Sequence, residues 1–160
     1  MPFTARWPFA LVLLLGAAHV VAAWAGQVRP DTVRLKDLLN VADAVVLTRC
    51  DPGTSAWTGD PPIIVTEHRC HVSRVFKGDP ADSISIHVLG GQVGDVGMAA
   101  SAGGGVSTDA DMVLLLQRSQ FGPYYVIAGG ARGVMRVSGS PERPTVAGLT
   151  LDDFARLAKP

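Results

Sequence analysis

Residues 63–76, IIVTEHRCHVSRVF, constrain the fold of this chain more than any other segment. Ile64, Thr66, His68, Cys70 and Val72 alternate onto one face, the two-residue period of a strand packed on one side. The rhythm breaks at Ser73-Arg74 and resumes at Val75-Phe76. A break of that kind marks a β-bulge where a barrel wall bends. The chain is therefore expected to wrap a small sheet around this long strand.

The remaining segments fit that expectation. Thr32–Val41 (TVRLKDLLNV) places Leu35, Leu38 and Leu39 at helical spacing behind an N-cap at Asp31 or Thr32, which predicts a short helix. Ala44–Thr48 reads as a strand, Asp51–Pro62 as a loop rich in proline and glycine, and Lys77–Pro80 as a turn. Ser83–Leu89 alternates with Ile84, Ile86 and Val88 inward and Ser85 and His87 outward. Gly90–Asp109 holds seven glycines and reads as a long loop, with a short strand at Val93–Met98. Met112–Gln117 (MVLLLQ) is continuously apolar, suited to a strand buried on both sides. Tyr124–Ala128 and Val134–Val137 follow as strands joined by Gly129–Gly133, then a proline-rich linker over 138–147. Thr150 and Asp153 form a capping box ahead of a closing helix that carries Phe154, Leu157 and Ala158 on one face. The fold class is mainly β: a small closed barrel of five or six strands with a helical plug, having a short N-terminal helix and a C-terminal helix.

Composition then limits the function. Residues 1–25 pair a positive start at Arg6 with an apolar run from Trp7 to Val21 and an Ala23-Trp24-Ala25 cleavage pattern, so a signal peptide is expected and 26–160 form one exported domain, periplasmic or extracellular. The apolar run is shorter than the ~20 residues of a membrane span, so no membrane attachment is expected after cleavage. Removing that leader takes four of the ten aromatics with it, leaving a Val/Ile/Leu core. With 14 basic residues balancing 14 acidic ones, there is no electrostatic footprint for nucleic acid.

A resemblance emerges from several runs together: Ala42-Asp43-Ala44-Val45-Val46, then Val75-Phe76-Lys77-Gly78, then Gly90-Gly91, MVLLLQ and YYVIAGGARGVMRV. The pattern resembles small exported bacterial proteins of uncharacterised function and covers residues 42–137. Their scheme, an "AD-x-VV" strand, a strand ending "VFKG" and a closing "Y-x-V…G-x-x-G" hairpin, implies an OB/netrin-like barrel. More distantly it is similar to the barrel of tissue inhibitors of metalloproteases. Those proteins act through a Cys at the mature N-terminus, whereas the start expected here is Gly26-Gln27, so the resemblance implies fold and not that inhibition.

Reactive residues are few. Cys50 and Cys70 in an exported domain point to a disulfide closing a loop of about 20 residues, with two buried thiols as the alternative. In Glu67-His68-Arg69-Cys70-His71 the alternation puts His68 and Cys70 on one face and Glu67 and His71 on the other. A metal site would need further ligands such as Cys50 or His87, and ordinary surface histidines are the simpler reading. Gly90-Gly91-Gln92-Val93-Gly94 lacks the helix start and Lys-Ser/Thr pair of a phosphate loop. No G-x-S-x-G, H-E-x-x-H or C-x-x-C motif is present, so neither an enzyme nor a cofactor is expected. The expected function is a non-enzymatic binding or accessory domain that contacts a protein or envelope component through barrel-end loops 51–62 and 90–109, with Trp57, Gly90, Gly91 and Gly94 as ligand-loop candidates. The alternatives are a metal-handling protein using His68, Cys70, His71 or His87, and an enzyme without a recognisable motif.

Overall fold

In the computed structural model, which describes residues 30–99 and 105–159, the alternating segment is one 15-residue strand around which the wall is built. The expected signal peptide lies outside the described residues. A helix α1 (Pro30–Val41) leads into β1 (Ala44–Cys50), β2 (Thr54–Thr58), β3 (Ile63–Lys77) and β4 (Ser83–Leu89). Next come β5 (Gly91–Val93), β6 (Val96–Met98), β7 (Met112–Arg118), β8 (Tyr125–Ile127) and β9 (Val134–Arg136). Short strands β10 (Ser138–Ser140), β11 (Arg143–Val146) and β12 (Leu149–Thr150) precede helix α2 (Leu151–Ala158).

Five strands close the barrel in the order β1-β3-β4-β8-β7, and β7 returns to pair with β1. All neighbours are antiparallel except β4 and β8, which run parallel. Closure removes the unpaired backbone edges that an open sheet would leave. Along β1 and β3 the register shifts twice, leaving Ser73 and Phe76 as the extra residues on β3. Ser73 is where the sequence alternation fails, and its hydroxyl donates to Leu47 C=O at 3.1 Å, fastening the bulge.

The continuous apolar run of β7 has two faces because the wall has two apolar sides. Leu114 and Leu116 point into the barrel with Val46, Ile84 and Ile86. Val113 and Leu115 point outward, where α1 and α2 cover them through Leu35, Leu39 and Phe154. The helices thus pack on the outer wall instead of plugging the barrel, since a plug would leave that outer apolar face in water. α1 starts at Pro30, earlier than the expected Thr32. At α2 the Thr150 hydroxyl accepts from the Asp153 N–H (3.1 Å) and donates to its carboxylate (2.7 Å), as the capping pattern requires. That hydroxyl and the Arg156 guanidinium hold the Asp153 carboxyl below the usual carboxylate range.

Three expectations are corrected. Residues 51–62 are not a loop: β2 continues along the same edge of β3 that β1 uses, and the chain turns only at Gly59–Pro62. Next, β8 and β9 are not a hairpin, because both pair with the same strand, β7, in the same antiparallel sense. They are one strand interrupted by a 3₁₀ turn (Gly130–Gly133), which Gly129 (φ 72°) and Gly130 (φ 60°) permit. Finally, residues 138–147 supply two strands of a small three-stranded sheet completed by β12, whose Ala147-Gly148 turn has positive φ at both central residues and seats the buried Val146 against the outer core.

The motif residues that carry the resemblance hold this frame together. Lys77 Nζ donates to the α1 carbonyls of Leu39 (2.6 Å) and Asn40 (3.3 Å), a side-chain cap on the helix C-terminus. Asp43 accepts the Arg118 N–H at 2.8 Å. Gly78 has φ 80° and lies so close to Asp43 C=O that a Cβ would collide with it. Gly78→Ala is therefore expected to cost about 1–3 kcal/mol in urea unfolding. An unchanged midpoint would show that this crossing is not tight.

Candidate functional site

One end of the barrel gathers most of the segments expected to bind. At this end β1 ends, β3 begins and β4 ends, so β2 and the first half of β3 project as a lip. Cys50 faces Cys70 across β1 and β3, and the two are joined in a disulfide with a Cα–Cα separation of 4.0 Å. Asp51 N–H donates to Arg69 C=O (2.8 Å) beside the pair, which makes it a non-hydrogen-bonded pair, where facing Cα atoms come closest. A turn centred near Trp57 would have set Cys50 opposite Ile63 or Ile64. The turn at Gly59–Pro62 sets it opposite Cys70.

Trp57 lies on β2 opposite Ile64, which is fully buried, yet Trp57 keeps 48% of its surface exposed. It is a half-exposed residue of the lip. The β5–β6 hairpin packs beside it. Gly90 N–H donates to Ile64 C=O (2.8 Å), and Gly90 C=O accepts the Thr66 hydroxyl (2.7 Å). Ser55 and Thr66 hydroxyls are 2.8 Å apart, and Gln92 N–H reaches Ser55 Oγ at 3.3 Å. Gly91 (φ 133°) sits so near both hydroxyls that any side chain would strike them. Gly90 and Gly91 are therefore seats for the hairpin, while Gly94 (φ 60°) stands in open space at its tip.

Ser55, Thr66, Gln92 and Val96 belong to this end as well, and sequence reasoning did not single them out. Reading Gly59-Asp60-Pro61-Pro62 as the turn would have found Ser55 opposite Thr66 by register alone. The far part of the glycine-rich stretch is anchored by side chains: Arg49 pairs with Asp111 at 2.9 Å, and Arg136 donates to Ser107 Oγ at 3.0 Å. The Ser107 hydroxyl in turn donates to Asp109, which, with a backbone hydrogen bond and Arg136, holds that carboxyl below its usual range.

The histidines are not gathered into one site. His68 Nδ1 lies 3.0 Å from Asp51 C=O, and His71 Nε2 lies 3.2 Å from the Asp51 carboxylate, so both flank the start of the lip. His87 is elsewhere on the wall, stacked on Tyr124 with ring centroids 3.7 Å apart, and its Nε2 is 3.8 Å from Glu67. Cys70 is committed to its disulfide, which withdraws its sulfur from metal ligation. Among the described residues, no three His, Cys, Asp or Glu side chains are grouped to hold a metal ion. Among them, too, no helix is long and apolar enough to cross a membrane.

Compared with known proteins, the chain matches no family profile, no curated protein and no solved structure.

Proposed function

We propose that this protein is an exported, non-enzymatic accessory domain that binds a protein or envelope component through the lip at one barrel end. The observation that carries this reading is the convergence of β2 and the β5–β6 hairpin, which places half-exposed Trp57 and exposed Val96 at the same end of a rigid, closed scaffold. Binding groups carried on loops and rims of a stiff barrel are a common arrangement, and a partly exposed Trp is a favoured anchor at protein interfaces. The wall order, with its one parallel pair between β4 and β8, supports the finer OB-like reading of the fold. The disulfide is consistent with an oxidising compartment and so supports export.

Trp57→Ala and Val96→Asp should both fold normally, because each side chain is about half exposed. In chemical cross-linking to envelope extract, each is expected to weaken capture of the main partner band about tenfold, the loss of one good interface contact. Capture unchanged by both substitutions would move the binding surface away from this end.

A further inference from the structure

We propose that two copies of this chain associate through the outer edge of β2, pairing antiparallel about a two-fold axis at Ala56. The backbone register dictates which groups of β2 face away from β3. Ile64 C=O turns toward β4, where it accepts from Gly90, so the main-chain groups of Val65 turn the other way, toward β2. Val65 faces Ala56, and Thr54, Ala56 and Thr58 therefore bond to β3. Ser55 and Trp57 direct their N–H and C=O groups outward, and β3 is the strand to which β2 is hydrogen-bonded.

Edges of this kind are usually blunted by charge, proline or a bulge. Thr54-Ser55-Ala56-Trp57-Thr58 has no charged residue and no proline, and Thr and Trp favour extended backbone. Among the described residues the other strands paired on one side offer less: β5, β6, β9 and β10 have three residues each and β12 has two.

A second copy fits this edge because the edge is complementary to itself. With the axis at Ala56, Ser55 of one copy faces Trp57 of the other, and each such pair exchanges its two outward groups. The two exposed Ala56 residues meet as a closely spaced pair that only small side chains fill without crowding. β2 carries no charge to oppose the approach, and the expected leader removes only Arg6 from 14 basic residues against 14 acidic ones, so the mature chain stays near neutral.

The test is sedimentation of the mature protein over a concentration series, with two substitutions at exposed Ala56. The wild type is expected to show a concentration-dependent monomer–dimer equilibrium. A56K and A56E each set like charges face to face, so each should weaken self-association about fivefold with an unchanged circular dichroism spectrum. An equimolar mixture of the two should restore the dimer, because Lys then faces Glu. A wild type that stays monomeric throughout overturns the proposal and leaves the edge to an extended strand of another protein. Variants that dimerise as the wild type does, or a mixture that fails to recover, would overturn it as well.

Discussion

Phe154→Ala is expected to lower stability by about 3–5 kcal/mol, the range for deleting a fully buried aromatic ring. Phe154 has no exposed surface and meets Phe76 edge-to-face, with ring centroids 5.2 Å apart and planes at 76°. It fastens α2 to the outer wall beside Val45, Leu115 and Val146. The cavity left by its removal could close only if α2 shifted, and the Thr150 cap and the Arg74–Asp152 pair (3.0 Å) hold the helix start in place. Urea unfolding followed by tryptophan fluorescence measures the loss, with Trp57 on β2 as the reporter. A loss under about 1 kcal/mol, small for a buried aromatic, would mean that α2 is not part of the cooperative core.

Replacing Cys50 and Cys70 together by alanine is expected to cost about 3 kcal/mol, the chain-entropy value for a crosslink spanning 20 residues. The loop so closed contains the whole of β2 and the first half of β3, which is the projecting lip. The bond therefore restrains the least supported part of the sheet, and its loss should fall there first. Hydrogen exchange at Thr54–Thr58 should accelerate more than at Met112–Leu116, where the strand is buried on both faces. Equal acceleration at both sites would show that the lip has no independent opening and that the disulfide acts on the barrel as one unit.

Much of the barrel could be read from side-chain periodicity. The failed alternation at Ser73 is a bulge, the unbroken MVLLLQ run is a two-faced strand, and Thr150 with Asp153 caps a helix. These features are local, and each is set by which neighbours a residue must face. What was misread depends on distant partners. A dozen residues rich in glycine and proline pass for a loop, yet Thr54–Thr58 becomes a strand because the long β3 offers it an edge. Likewise, YYVIAGGARGVMRV looks like a hairpin until one long partner, β7, takes both halves on the same side.

The candidate site was half legible for the same reason. Trp57 and the glycines stood out by type, but Gly90 and Gly91 serve as seats for the hairpin, and the hydroxyl pair of Ser55 and Thr66 carries no sequence signature. Their meeting follows from register between strands.

The sequence by itself determined the class of fold, the long bent strand, the helical ends and the two cysteines fit to be joined, because alternation and capping are properties of neighbours along the chain. Only the tertiary structure decided that Cys50 faces Cys70, that the helices cover the outside of the wall, and that β2, among the described residues, pairs on one side alone. Those outcomes depend on where the chain turns and which strands then compete for each edge. A displacement of the β2–β3 turn by a few residues would change every pair across it, and the stretch 51–62, with Pro52, Gly53, Gly59, Pro61 and Pro62, offers more than one place to turn.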